Sequence, residues 1–100
     1  MKRREVVFAP EARDDVFALF DWISAAAGKG AASKYLERLE AYCLSFDLAS
    51  ERGTRRDDVR EGLRVVGFER RIAIAFTVDD ARVTILRVLH GGRDWQELIG

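Results

Sequence analysis

Side chains suited to disulfides and metal sites are almost missing from this 100-residue sequence. Cys43 is the single cysteine and His90 the single histidine, so neither an internal disulfide nor a cysteine–histidine zinc spacing is available. Cys43 also falls on the apolar stripe of a predicted helix, where a small buried core residue is favoured over a nucleophile. There is no glycine-rich phosphate loop, and we expect neither a metal nor a cofactor.

Long apolar runs and an excess of one charge are also missing. The apolar run Val6–Phe8 is too short for a signal peptide, and no stretch approaches the ~18 apolar residues of a membrane-spanning helix. We therefore expect a cytoplasmic protein without membrane contact. Basic and acidic residues both number 17, which argues against a dedicated nucleic-acid binder. Length and composition predict one globular domain over residues 1–100.

Basic and acidic residues are distributed unevenly along the chain, although their total charge is zero. Segment 10–49 carries four basic and seven acidic residues, whereas segment 50–78 carries seven basic and five acidic ones. Fourteen of the 17 basic residues are arginines, whose planar guanidinium suits bidentate contacts. The sequence thus leaves room for a local, arginine-mediated contact surface.

Hydrophobic periodicity predicts the order β-α-α-β-β-β and the α+β class. Residues 3–8 read as a short strand, and a helix begins at Ala9-Pro10 and ends at Gly28 and Gly30. A second helix is predicted from about Ala31 to Ala49, forming an antiparallel hairpin with the first. Residues 50–62 read as a polar connection. The period then changes to two, which predicts strands over 63–66, 72–78 and 83–89 in a small, mostly antiparallel sheet.

Arg87 interrupts the last apolar strand. A buried arginine must be paired or face a functional groove, and these two interpretations are equally open. Arg64 is its possible neighbour on an adjacent strand, with Glu61 or Glu69 as candidate partners. His90 is the one side chain of a type that titrates near neutral pH, and a role in ordering the sheet end is favoured over catalysis.

The C-terminal stretch VTILRVLHGGRDW, residues 83–95, resembles the ParE branch of the ParE/RelE toxin superfamily. The resemblance extends over nearly the whole chain, through the strand-to-helix opening at Phe8 and Pro10, the passage after Leu48-Ala49 and the strand around Ile74. The proline often found after Leu-Ala in that family is missing here. The superfamily's RelE/ParE-like fold is also β-α-α-β-β-β.

The resemblance implies the toxin of a type II toxin–antitoxin operon of the plasmid-stabilisation type. ParE toxins are thought to poison DNA gyrase and block replication, which is a binding function and not an enzymatic one. A ParD-like antitoxin neutralises them, and a hetero-oligomeric 2:2 assembly is implied. Sequence-specific nucleic-acid binding belongs to the antitoxin.

A RelE-like, ribosome-dependent mRNA endoribonuclease is the alternative. Arg64, Arg87 and His90 would then supply the cations and the proton-transferring group. The chain lacks a C-terminal tyrosine, has no lysine from residue 35 onward and carries no net positive charge for docking on ribosomal RNA. These departures favour the gyrase interpretation. A RelE-like fold without toxicity stays open.

Two sets of contact residues are predicted. Cations and an aromatic ring beside two glycines suggest a target-binding surface of the residue types enriched at hot spots: Arg87, His90, Arg93 and Trp95. Apolar side chains off the first helix's main stripe, together with the arginines after the second helix, suggest the antitoxin surface: Phe17, Trp22, Arg55, Arg56 and Arg60.

Overall fold

The computed structural model describes residues 3–69 and 71–90. A five-stranded sheet has the order β1-β5-β4-β3-β2, in which β1 is parallel to β5 and the other neighbours are antiparallel. The predicted α+β class is confirmed. The elements are β1 (Glu5–Phe8), α1 (Pro10–Ala27), α2 (Lys29–Leu44), a 3-10 turn (Ser45–Asp47), β2 (Thr54–Arg55), β3 (Arg64–Phe68), β4 (Ile72–Val78) and β5 (Arg82–His90).

The helical hairpin turns at one residue. Gly28 has φ 95° and joins α1 directly to α2, because glycine adopts this backbone region without a steric penalty. Gly30 therefore lies inside α2 and not in the turn. The helix ends at Leu44, where the Ser45 hydroxyl donates to the Tyr42 carbonyl and the chain tightens into the 3-10 turn. The predicted extension of the second helix to Ala49 was therefore wrong.

The core lies between the hairpin and one face of the sheet. α1 runs along β5, and α2 with the 3-10 turn returns over β3 and β4. There the Tyr42 ring of α2 contacts Phe68, and the Phe46 ring of the 3-10 turn contacts Phe76. Each such side chain contributes about 1.5–3 kcal/mol when it is fully buried. Cys43 lies in this core, and burial raises the pKa of its thiol to about 12, so the expected structural role is confirmed.

The strand β2 was missed because its two residues are exposed and carry no apolar alternation. Gly53 brings it against the sheet. Its φ is 78°, and a Cβ there would lie 2.4 Å from the Val65 carbonyl oxygen, so only glycine permits this approach. β2 then pairs with the first two residues of β3.

Candidate functional site

Arg87 forms a bidentate ion pair with Asp15 of α1. Its Nε donates to Oδ2 at 2.7 Å and its Nη2 donates to Oδ1 at 2.9 Å. Both side chains are mostly buried, and the hydrogen bond to Asp15 raises the pKa of Arg87. The predicted partners Glu61 and Glu69 were wrong, because α1 lies directly over β5 and presents Asp15 to it.

Asp15 also accepts a hydrogen bond from a backbone amide at the edge of the sheet. β1 ends where Phe8 lies opposite Ile85, so within residues 3–69 and 71–90 no strand pairs with the later residues of β5 on that side. The Val88 amide on this edge donates to Asp15 Oδ2 at 2.9 Å. One carboxylate therefore accepts from a guanidinium and from a backbone N–H, which fixes the orientation of Arg87.

The three residues of the ribonuclease alternative are not brought together. Arg64 lies on β3 opposite Phe76, and β4 separates it from β5, so it is not on a strand adjacent to that of Arg87. His90 lies opposite Ile72, four residues further along β4, which is about 13 Å at the rise of a strand. Arg64 and His90 thus occupy opposite ends of the sheet.

His90 instead contacts the first helix. Its ring stacks on that of Trp22, with centroids 5.0 Å apart and planes inclined by 27°. Trp22 is 48% exposed, so the pair lies at the surface. A residue predicted for target binding and one predicted for antitoxin binding therefore belong to the same surface.

The stacked pair borders a groove of about 780 Å³, which we call the end groove. It opens where the C-terminal part of α1 and the N-terminal part of α2 pass the end of the sheet. Its described lining includes three cationic side chains and no acidic one. The lining residues are Leu19, Trp22, Ile23, Ala26, Ala27, Ala31, Lys34, Tyr35, Arg38, Arg71, Ile72 and His90.

Tyr35 contributes a buried polar atom to this groove. Its hydroxyl oxygen has no hydrogen-bond partner among the residues that the structure describes. Burial raises the pKa of Tyr35, so the hydroxyl stays protonated. A buried donor without a partner costs free energy.

Arg38 connects the wall of the end groove to the β3–β4 turn. Its Nε and Nη2 donate to the Glu69 carboxylate at 3.0 and 3.1 Å, and its guanidinium lies 5.1 Å from the Tyr35 ring centroid. These hydrogen bonds lower the pKa of Glu69. Glu69 has φ 48°, an uncommon conformation for a side chain with a Cβ. The pair holds this turn against α2 and places Arg71 at the groove.

Phe17 lies on a separate surface. It is 70% exposed and borders a hollow of about 240 Å³ between the two helices. Five positions separate it from Trp22, which is about 140° around a helix. Phe17 and Trp22 were both predicted to contact the antitoxin, and their different directions from α1 place them on two separate surfaces.

The predicted arginines lie at the far end of the sheet. Arg55 pairs with Asp57 at 3.1 Å and Arg56 with Asp58 at 2.9 Å. Arg55 lies opposite Arg64, remote from His90, and Arg60 follows in the same loop. Arg93 and Trp95 lie outside the described residues.

Four contributors to the site were missed in the sequence: Asp15, Lys34, Tyr35 and Arg71. Lys34 read as an ordinary solvated residue of the second helix, and Tyr35 as part of its apolar stripe. Arg71 has no pattern of its own, because only the β3–β4 turn brings it to the groove. Asp15 had one usable signal, since it precedes Val16 at the border of the apolar face of α1.

Two further properties bear on the kind of site. Within residues 3–69 and 71–90 no three histidine, cysteine or carboxylate side chains are grouped as metal ligands. In the same part of the chain, no helix has both the length and the apolar character needed to cross a bilayer.

Solved structures of toxin–antitoxin systems share this architecture. The chromosomal ParDE system from P. aeruginosa matches with a TM-score of 0.77 and 20% identity over 88% of this chain and 96% of the matched chain. The RelBE2 complex from Mycobacterium tuberculosis matches with a TM-score of 0.59 and 21% identity over 93% and 97% of the two chains. The fold is therefore that of the ParE and RelE toxins.

A comparison with protein-family models identifies the family within this fold class. Residues 6–95 match the family described as the ParE toxin of the type II toxin–antitoxin system parDE. The chain belongs to the ParE toxin family. No match was found among curated proteins.

Proposed function

We propose that this toxin inhibits DNA gyrase and is neutralised by a ParD-like antitoxin. Membership of the ParE family supports the proposal, as does the apolar end groove with its cationic rim. The groove suits a binding function, because it combines aromatic and aliphatic walls with a few charged groups at the margin. The separation of Arg64 from His90 counts against the ribonuclease alternative.

The antitoxin contacts the end groove through an amphipathic segment with acidic flanks. Its apolar side chains pack on Trp22 and Ile23, and its carboxylates meet Lys34 and Arg71. The arginines Arg55, Arg56 and Arg60 are additional antitoxin contacts in this proposal, whereas Phe17 lies on a separate surface with a different proposed occupant.

The target contacts the neighbouring sheet end. His90, Arg87, Arg93 and Trp95 form the gyrase-binding surface in the proposal. Arg87 takes part with its side chain already oriented by Asp15, so little conformational entropy is lost on binding. Because His90 stacks on Trp22, the bound antitoxin also covers part of the target surface.

A supercoiling assay tests the function. Purified toxin without antitoxin should inhibit gyrase supercoiling or increase cleaved plasmid, and equimolar antitoxin should reverse the effect. Topoisomerase I relaxation is the control and should be unchanged. An mRNA-programmed translation extract provides the opposing measurement. Cleaved mRNA with unaffected gyrase would replace the proposal by the ribonuclease alternative, and no growth arrest on induction would indicate an inactive toxin.

A further inference from the structure

The hollow beside Phe17 forms a surface that is complementary to itself. Phe17 is the most exposed large apolar side chain of the described residues, and it projects beside an apolar floor formed by Phe8, Val16, Leu36 and Leu39. A protruding ring and a recess that accepts one therefore occur side by side on the same face of the hairpin.

Two opposite charges border the same hollow. Arg13 precedes Phe17 by about one turn of α1, and Glu40 follows Leu36 by about one turn of α2, so the two charges lie on opposite walls. Both residues are exposed, and neither forms a salt bridge with another residue in the described ranges. We call Phe8, Arg13, Val16, Phe17, Leu36, Leu39 and Glu40 the Phe17 patch.

We propose that the antitoxin-free toxin forms a two-fold symmetric dimer through the Phe17 patch. A two-fold axis through the hollow places α1 of one protomer against α2 of its partner, as an isologous interface requires. Each Phe17 ring then enters the hollow of the other protomer. Each Arg13 faces a Glu40, so the same ion pair forms twice.

The two opposite charges of the Phe17 patch favour a second copy of this chain over an acidic antitoxin segment as its binding partner. At the end groove an acidic segment meets Lys34 and Arg71, whereas at the Phe17 patch it would leave Glu40 facing a like charge. A second copy satisfies both Arg13 and Glu40. Segment 10–49 carries a net charge of −3, so two hairpins repel each other once their charges approach within the ~8 Å Debye length. The expected dimer is therefore weak and depends mainly on Phe17.

Sedimentation velocity over a wide concentration range tests the dimer. The toxin is separated from its antitoxin, refolded and checked by circular dichroism. The wild type should show a monomer–dimer equilibrium, and Phe17→Glu should weaken it by at least about tenfold, the effect of a hot-spot residue. Trp22→Glu is the matched control, since it places the same charge on the other exposed aromatic residue of α1 and should leave dimerisation unchanged.

Exchanging the charges of Arg13 and Glu40 tests whether these two residues face each other across the dimer interface. Arg13→Glu and Glu40→Arg should each weaken the dimer by placing like charges opposite each other, and the double variant should restore it. A folded wild type that stays monomeric at every concentration overturns the proposal, as does dimerisation that survives Phe17→Glu. Loss of antitoxin capture in Phe17→Glu, together with a monomeric wild type, would assign the patch to the antitoxin. Failure of the double variant to recover would refute the two-fold arrangement.

Discussion

At the scale of single residues, Asp15 accepts hydrogen bonds from both Arg87 and the Val88 amide, although the sequence pattern predicted only that Arg87 needs a partner. Arg87 was conspicuous as a charge within an apolar strand, and the need for a partner could be predicted. The identity of that partner could not, because 72 positions separate the two residues and only the packing of α1 on β5 brings them together. The Val88 amide left by the short β1 is likewise invisible in the sequence.

The two sides of this ion pair should differ in their effect on stability. Asp15→Ala removes the acceptor of both Arg87 and the Val88 amide, so it should lower the free energy of unfolding by about 2–3 kcal/mol. Arg87→Ala leaves the amide bonded to Asp15 but removes the cation from a buried carboxylate, so it should cost less, about 1–2 kcal/mol. Urea denaturation measures both. Asp14→Ala is the control, because Asp14 is exposed, and it should change stability by less than about 0.5 kcal/mol. Equal losses in the two test variants would contradict the assignment.

At the scale of elements, the sequence predicted the hairpin and the three long strands well, because each buries a periodic apolar face. The ends of elements that depend on local backbone geometry were harder to predict from the sequence. The end of α2 depends on a side chain of Ser45 turning back to a carbonyl, and β2 depends on the close approach of Gly53 to β3. The β3–β4 turn is a third case, since Arg38 of α2 holds it in place.

The Arg38–Glu69 pair should make the attachment of that turn dependent on pH. The pKa of Glu69 is lowered in the folded state, so the pair contributes stability above the unfolded-state value of about 4.3 and loses it as pH falls through the lower folded value. A double-mutant cycle with Arg38→Gln and Glu69→Gln, followed by thermal unfolding, should show coupling at pH 7 that decreases as the pH falls through the folded-state pKa of Glu69. The coupling energy should be as small as that of other exposed ion pairs. Coupling that is unchanged in acid would contradict the role of the carboxylate.

At the scale of the whole molecule, the proposed contact residues lie at two different ends of the sheet. The paired arginines Arg55 and Arg56 lie beside β2 at one end, and the end groove with Trp22 and His90 lies at the other. The sequence supplied both sets of residues but assigned Trp22 and His90 to different surfaces. Spacing along the chain could not reveal their contact, because it depends on α1 running parallel to β5 as far as the last residue of that strand.

This shared end predicts that antitoxin binding and gyrase inhibition depend on the same charges, provided that the proposed function holds. Arg71 and His90 line the same groove, so Arg71→Glu reverses a charge in the proposed antitoxin site and next to the proposed target surface. It should therefore slow association and weaken antitoxin binding and gyrase inhibition together, each by about fivefold or more. Arg82→Glu is the matched control, since Arg82 is equally exposed at the start of β5, far from the groove, and should leave both unchanged.

Calorimetric titration with antitoxin and the supercoiling assay, performed on the same protein preparations, measure the two effects. A preformed toxin–antitoxin complex should also fail to bind immobilised gyrase, whereas free toxin should be retained. If Arg71→Glu weakened only one of the two activities, or if the complex still bound gyrase, the two partners would be using separate surfaces. Neutralisation would then require a change in the toxin transmitted through the hairpin, since direct coverage of His90 would not account for it.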